Sequence, residues 1–219
     1  MADEDVCLGI CYSDNQIYYS VSGESTPSSA THIGAFDFNF DVKNAIVHGH
    51  DEAFSGIKRS IADLKEKFGC TSVRILSPAD EECWTILPRY VYDDADEREA
   101  HIRILAQPVA REDLQITWYN LSNADHRLLL IRDSNAMHGF KKLLGDVSHT
   151  EYISEFEVGS DWQAHTRISG SYLTIHCNRD YISVSSFLLG KLRDATVISF
   201  EDITDLADYW KLYSKTNTW

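Results

Sequence analysis

The stretch "CLGICYSDNQIYYSV", from Cys7 to Val21, contains two largely apolar segments separated by three small polar residues. We predict strands over 6–12 and 16–22, joined by a tight turn at 13–15. Asp and Asn favour such turns because their side chains bond nearby backbone and tolerate left-handed geometry. In some folds a turn of this kind near the start of a chain holds a nucleotide phosphate, so its residues bear on function as well as on fold.

The segments that follow this hairpin have clear periodicities. Phenylalanines alternate with polar residues in "THIGAFDFNFD" at 31–41, which predicts a third, half-buried strand. Residues 52–68 carry apolar side chains at steps of three and four, which predicts a helix with Asp51 as its N-cap and Gly69 as a left-handed C-cap. A buried strand is expected at 71–77. The first part of the chain is therefore β-β-β-α-β.

The middle of the chain mixes both kinds of element. Pro88 makes the extended segment at 83–92 an edge strand or a kinked one. Residues 151–167 are compatible with either a strand or a helix. The clearer elements are a helix over 94–106, strands over 113–122 and 126–133, a helix over 134–144, a strand near 195–200 and a helix over 201–215 that Glu201 or Asp202 could open.

A second strand-turn-strand segment, "SYLTIHCNRDYISVSSFL", lies at 171–188. The order of elements over 6–213 resembles the actin-like ATPase superfamily, in particular the bacterial PilM-like type IV pilus assembly proteins and the cytoplasmic domain of the type II secretion L protein. The resemblance implies an α/β protein with mixed sheets and a shortened actin-like (ribonuclease H-like) fold. It also implies two halves, 1–112 with an inserted segment at about 80–110, and a truncated second half at 113–219.

The first turn departs from the pattern of that superfamily, which reads like "GIDIGTT". There an Asp handles metal and water, and small residues let backbone N–H groups approach a phosphate. In this chain Cys11 stands where the Asp is expected and Ser13 where a glycine is expected, and Asp14 follows. A phosphate at this turn would meet side chains and negative charge. We expect the turn to be degenerate.

The second turn usually reads like "DIGGGT" in the superfamily. Here His176, Cys177 and Asn178 occupy it, and there is no glycine before Ile182. The chain contains no Gly-Gly pair, and the glycine-bearing segment that holds adenosine in family ATPases would lie beyond its end. We therefore expect no cofactor.

Composition restricts the partners. Against 20 Lys and Arg the chain has 34 Asp and Glu, a net charge of −14 that disfavours nucleic acid and anionic membranes. No apolar run approaches the roughly 18 residues of a membrane span, and the acidic N-terminus is unlike a signal peptide. Five widely spaced cysteines suit reduced thiols in the cytoplasm. We expect a protein partner or self-association, with no direct membrane insertion.

Two other groups of residues carry weaker functional hypotheses. His48 and His50 form an H-x-H on a segment expected to be extended, where they could ligate a metal, although an exposed loop is the simpler interpretation. If the two hairpins pack as in the actin-like fold, Cys11 and His176 face each other, and such a pair could activate a thiolate or, with Cys177, bind zinc. Buried cysteines are more often inert.

The C-terminal segment "DITDLADYWKLYSKTNTW" carries an apolar stripe. It either packs on its own sheet or covers a partner, and the interface candidates are Leu206, Tyr209, Trp210 and Tyr213. The function that fits best is a non-catalytic cytoplasmic binding or assembly module with a degenerate nucleotide site. The alternative is an enzyme, either a divergent nucleotide-binding hydrolase or a Cys/His-dependent catalyst using the cleft between the halves.

Overall fold

A computed structural model describes residues 6–23, 32–49, 52–107, 114–145, 147, 149–160 and 170–216. The chain forms two compact units that each combine separate stretches of sequence: Met1–Pro78, Arg111–Gln115 and Asp133–Ile153 make up the first, and Ala79–Ala110, Ile116–Arg132 and Ser154–Trp219 make up the second. The two halves predicted from the resemblance, 1–112 and 113–219, do not correspond to these units, and that division stays a prediction.

The described residues contain eleven strands and six helices in mixed order, which confirms the α/β class. The strands are β1 Val6–Tyr12, β2 Gln16–Gly23, β3 His32–Asp37, β4 Ser72–Ser77, β5 Glu82–Pro88, β6 Leu114–Asn120, β7 His126–Asp133, β8 His149–Ser154, β9 Ser171–Cys177, β10 Tyr181–Leu188 and β11 Lys191–Ser199. The helices are α1 Val42–His48, α2 Glu52–Phe68, α3 Arg89–Asp93, α4 Ala95–Ala106, α5 Ser134–Leu144 and α6 Ile203–Thr216.

The first unit is built on a five-stranded sheet in the order β3-β2-β1-β4-β8. The predicted meander is confirmed, since β1 pairs antiparallel with β2 and β2 antiparallel with β3. β4 returns parallel to β1 after the helical crossover. β4 lies between β1 and β8, and its Val73 and Ile75 are buried in the core, whereas Arg74 between them is exposed. The buried strand predicted here is therefore fully covered on only one face.

Helix α2 lies over this sheet with the face that its sequence predicts. Phe54, Ile57, Ile61 and Leu64 are buried in one core with apolar side chains of β1, β4, α1 and α5. Gly69 has a φ of +65°, the left-handed geometry expected after the helix. The proposed N-cap, Asp51, lies outside the described residues.

The third strand is shorter than its alternation predicts. It ends at Asp37, because the next N–H, that of Phe38, donates to the Asn15 carbonyl at 2.8 Å and so bonds the first turn instead of continuing the strand. Asp41 then caps α1 by accepting a 2.9 Å hydrogen bond from the Asn44 N–H. Phe38 still packs against the core although it is not in a strand.

The second unit contains most of two three-stranded sheets, β5-β7-β6 and β11-β10-β9. β9, β10 and β11 form the second antiparallel meander predicted from the sequence. Strand β10 is buried over seven of its eight residues, and its Phe187 stacks on Tyr172 with ring centroids 5.1 Å apart. Leu128 and Leu130 of β7 join the same apolar cluster.

Two expectations for the middle of the chain need correction. Residues 89–92 are helical, in α3, and not extended. Pro88 ends β5 with a ψ of 146°, and the short helix that follows ends where the Asp94 N–H donates to the Tyr90 carbonyl at 3.1 Å. Strand β5 is nevertheless at the edge of its sheet, as Pro88 predicted. The ambiguous segment at 151–167 includes the end of β8 and a turn, up to residue 160.

Candidate functional site

The first turn is bonded internally and to the segments that follow it. The Ser13 N–H donates to the Gln16 carbonyl at 2.9 Å. The Asp14 carbonyl accepts from the Val42 N–H at 2.6 Å, which ties the turn to the start of α1. The Asp14 carboxylate lies 3.7 Å from the Lys43 ammonium. The Ser13 amide, one of the groups that a bound phosphate would need, therefore already donates within the turn.

The second turn repeats this pattern of backbone bonds. The Asn178 N–H donates to the Tyr181 carbonyl at 2.9 Å, as Ser13 does to Gln16 in the first turn. The Asp180 carbonyl accepts from the Phe200 N–H at 2.8 Å, as Asn15 does from Phe38. The two hairpins thus share turn length and backbone hydrogen bonds, which confirms the repeated strand-turn-strand segment predicted from the sequence.

A buried carboxylate lies against the second turn. Glu155 is only 2% exposed, and it follows directly after β8. Its oxygens accept hydrogen bonds from the Asn178 amide at 3.1 Å, the Ser183 hydroxyl at 2.7 Å and the Tyr181 hydroxyl at 3.3 Å. The Tyr181 hydroxyl is also hydrogen-bonded to Asp80. Sequence reasoning missed Glu155 because it falls in the segment whose structure was ambiguous.

The pKa shifts of Tyr181 and His176, two titratable groups near Glu155, favour their neutral forms. Burial raises the pKa of Tyr181, and the Glu155 and Asp80 charges raise it further. Burial lowers the pKa of His176, while the Glu155 charge opposes that shift. Because His176 is then uncharged near neutral pH, it does not offset the carboxylates. Arg179 brings a cation to the turn, but its side chain is exposed.

An open groove of about 870 Å³ lies beside the second turn and α6. Four carboxylates line it, and none of the lining residues that the structure describes is Lys or Arg. Aromatic side chains from the residue after β11 and from α6 also line the groove. The principal lining residues are Asp80, Asp180, Glu201, Asp205, Phe200 and Tyr209. The groove therefore favours cationic and apolar groups over a phosphate.

The predicted cysteines and histidine are divided between the units. Cys11 is half-buried in β1, opposite Tyr18 of β2 and Leu76 of β4. His176 and Cys177 end β9 in the second unit, where Cys177 is exposed. The pairing of Cys11 with His176 stays a prediction.

The H-x-H hypothesis rested on an extended backbone, and this premise is wrong for His48. His48 is the last residue of α1, and Gly49 follows in the left-handed region with a φ of +68°. His50 lies outside the described residues. Within the part of the chain that the structure describes, no three His, Cys, Asp or Glu side chains are grouped so that they could hold a metal ion.

The C-terminal helix α6 carries the interface candidates. Leu206 and Trp210 are half-buried, whereas Tyr209 is 45% exposed; the Tyr213 side chain lies outside the described part. Leu212 is 64% exposed and was missed in the sequence, although it lies three residues after Tyr209 on a neighbouring part of the helix surface. The described side chains of α6 include none that is fully buried.

A second buried polar cluster joins β5, β7 and the end of β8. The Arg132 guanidinium pairs with Glu82 at 2.5 Å, and the Ser154 hydroxyl donates to the same carboxylate at 2.6 Å. Burial acts to lower the pKa of Arg132, but the Glu82 charge and hydrogen bond, together with Tyr119 and Glu157, outweigh it and the net shift is upward. Both side chains are almost inaccessible, so this cluster is a structural ion pair and not a binding site.

Three solved structures show which fold this chain has. A protein of unknown function with an actin-like ATPase fold, from Bacteroides thetaiotaomicron, aligns with a TM-score of 0.59 at 13% identity, over 99% of this chain and 80% of that one. The PilM-PilN type IV pilus biogenesis complex gives 0.58 at 11%, over 95% of this chain and 66% of that one. The cytoplasmic domain of EpsL, an inner membrane component of the type II secretion system of Vibrio cholerae, gives 0.52 at 14%, over 93% and 75%.

These similarities confirm the actin-like fold inferred from the two hairpins. No protein-family profile and no curated protein sequence matches the chain, so the likeness is one of fold. Among the helices of the described residues, none is long and apolar enough to cross a membrane.

Proposed function

We propose that this chain is a non-catalytic protein-binding module, acting in a cytoplasmic assembly, whose two phosphate turns are degenerate. The observation that carries the proposal is the contact between Glu155 and Asn178. It puts a buried carboxylate at the turn where the actin-like fold would place a phosphate.

Electrostatics disfavours a nucleotide there. Two like unit charges about 4 Å apart repel by about 4 kcal/mol at an effective dielectric constant of 20. A phosphate at the second turn meets Glu155 and Asp180, and the groove beside it adds Asp80. Arg179 is exposed and its attraction is screened by water. At the first turn the Asp14 carboxylate is offset by the Lys43 ammonium, so what disfavours a phosphate there is the Ser13 amide, which is already hydrogen-bonded.

Calorimetric titration with ATP and Mg²⁺ tests the absence of nucleotide binding. We expect no saturable heat and no Mg²⁺-dependent release of phosphate, with a nucleotide-binding actin-like protein measured alongside as the positive control. A Kd in the micromolar range, or phosphate release above the buffer rate, would contradict the proposal. The variant Glu155→Gln should remain inactive too, because the first turn is degenerate independently of Glu155.

The binding role is supported by α6 and its surroundings. Tyr209 and Leu212 expose apolar surface on this helix, and Tyr209 also lines the acidic groove. Trp and Tyr side chains beside a charged rim are typical of binding hot spots. The carboxylates of the groove favour a protein partner that presents basic side chains. Two of the structures with the same fold come from a pilus biogenesis complex and from a secretion system.

Photo-crosslinking separates a binding surface from a merely exposed helix. A photoreactive amino acid in place of Leu212 should give a crosslinked adduct in the native cell. The matched control replaces Ile104 on α4, which is exposed to the same extent, 64%. Crosslinks to a basic protein at position 212 and not at 104 support the proposal. Equal yields at both positions, or an adduct only with a second copy of this chain, would overturn the assignment of the partner.

A further inference from the structure

Helix α5 in the first unit is held firmly against α1. The Asp133 carboxylate caps it by accepting from the Asn135 N–H at 2.9 Å. Gly139 faces α1 so closely that a Cβ there would overlap the Ile46 carbonyl oxygen. With Gly139 and the adjacent Phe140 buried against the core, the half-exposed Met137 lies on another face of the helix.

Strand β8 provides the opposite wall of a pocket on that face. The Tyr152 hydroxyl donates to the Met137 carbonyl at 2.9 Å, which fixes the strand to the helix. Thr150 and Tyr152 both line the pocket, as alternation along a strand requires. Glu151 between them pairs with Arg74 at 2.8 Å. Burial raises the pKa of Tyr152 to about 12, so its hydroxyl is uncharged at neutral pH.

The pocket combines an apolar interior with the ammonium group of Lys141. Its volume is about 340 Å³. Met137, Leu144, Val147 and Tyr152 contribute apolar surface, and the exposed side chains of His138 and Lys141 lie among the lining residues. No Asp or Glu occurs among the lining residues that the structure describes.

We propose that this pocket binds a short segment of a partner protein in which an aliphatic side chain is followed by a carboxylate. The aliphatic group enters between Met137 and Tyr152, where the flexible methionine adapts to its shape. The carboxylate pairs with the Lys141 ammonium. A volume near the lower end of ligand cavities, about 300–1,000 Å³, suits one or two side chains and not a whole nucleotide.

This site is independent of the surface on α6. It belongs to the first unit, whereas α6 and the acidic groove belong to the second. The two surfaces also differ in sign, since carboxylates line the groove and Lys141 lines this pocket. A negative result for binding at α6 would therefore not contradict peptide binding in this pocket, and a negative result in this pocket would not contradict binding at α6.

Selection from a random peptide display library tests the chemistry without naming a partner. Selection on the whole chain should enrich an aliphatic residue followed within a few positions by Asp or Glu. Parallel selection on the Lys141→Glu chain should lose that pattern. No enriched pattern, or the same pattern on both chains, would overturn the proposal.

Binding of the selected peptide, measured by fluorescence anisotropy, then gives the size of the effect. We expect Lys141→Met to weaken the peptide by up to about fivefold, the loss expected for an ion pair at an exposed lysine. The matched control is Lys58→Met, at an exposed lysine of α2 in the same unit, which should leave the Kd unchanged. Thermal melts of both variants confirm that each is folded. An equal loss of affinity in both variants would contradict the site. If octanoate bound as tightly as the peptide, the ligand would be a small amphiphile and the peptide proposal would be wrong.

Discussion

The side-chain amide of Asn178, at the start of the second turn, donates a 3.1 Å hydrogen bond to the buried carboxylate of Glu155. Ser183 donates to the same carboxylate at 2.7 Å from the neighbouring strand β10. The carboxylate thus connects the turn, β10 and the segment after β8. The Glu155 oxygens therefore accept hydrogen bonds from side chains of the protein itself, and the negative charge disfavours a nucleotide phosphate at this position.

Replacing Glu155 should therefore affect stability strongly. Glu155→Ala removes the acceptor of the Ser183 hydroxyl and of the Asn178 amide, while Tyr181 keeps its hydrogen bond to Asp80. Each buried group left unsatisfied costs about 1–3 kcal/mol. Glu155→Gln keeps an acceptor and the volume, so its loss should be smaller. Urea unfolding followed by circular dichroism measures both. An alanine variant as stable as the parent would show that the network contributes nothing.

The free energy of unfolding should also decrease as the pH is lowered, because His176 takes up a proton on unfolding. Its folded pKa is lowered by burial, against which the Glu155 charge acts, while in the unfolded chain it titrates near 6.5. Between these two values the unfolded state binds more protons, so the free energy of unfolding decreases as the pH falls through about 6.5. His176→Gln should flatten this dependence between about pH 7.5 and the lowered pKa. An unchanged slope would mean that His176 titrates alike in both states.

Two helical glycines make a matched pair. Gly139→Ala would push its Cβ into the Ile46 carbonyl, so α5 must move away from α1. We expect a loss of about 1–3 kcal/mol or more, as for other overpacked sites. Gly56→Ala on α2 meets no atom within 4 Å. It should gain about 0.5–1 kcal/mol, because alanine favours the helix interior. Chemical denaturation of both variants measures the contrast, and a neutral Gly139→Ala would mean that the two helices are not in close contact.

The ion pair between Arg132 and Glu82 should behave as a buried pair. Arg132→Met alone leaves the Glu82 charge without its partner and should cost about 3–5 kcal/mol. The double variant with Glu82→Leu removes both charges, so it should be less unstable than the sum of the two single changes. A double-mutant cycle in guanidinium chloride measures this coupling. Additive losses would show that the two groups act independently.

Much of the fold could be predicted from local patterns. The strands on either side of residues 13–15 and the helix α2 follow from alternation and from apolar steps of three and four. The repeat of a polar three-residue turn at 178–180 pointed to the second meander. These signals are readable because they depend on residues that are close in sequence.

The site was much less predictable. Glu155 lies 23 positions before Asn178 in the chain, and no periodicity relates the two. The exposure of Leu212 was also not predicted, because it depends on which face of α6 packs against the rest of the unit. A hydrogen bond or a covered face between distant segments exists only once the strands have been placed.

The order and type of most elements, and the residues of both turns, follow directly from the sequence, because periodicity and turn chemistry are local. The end of β3, in contrast, depends on the folded chain. The Phe38 N–H bonds to Asn15, more than twenty positions earlier, instead of extending the strand. The carboxylate beside the second turn, Glu155, is likewise placed there only by the fold. Both depend on contacts between segments far apart in the chain, and the free energy of such contacts can override the local preference of either segment.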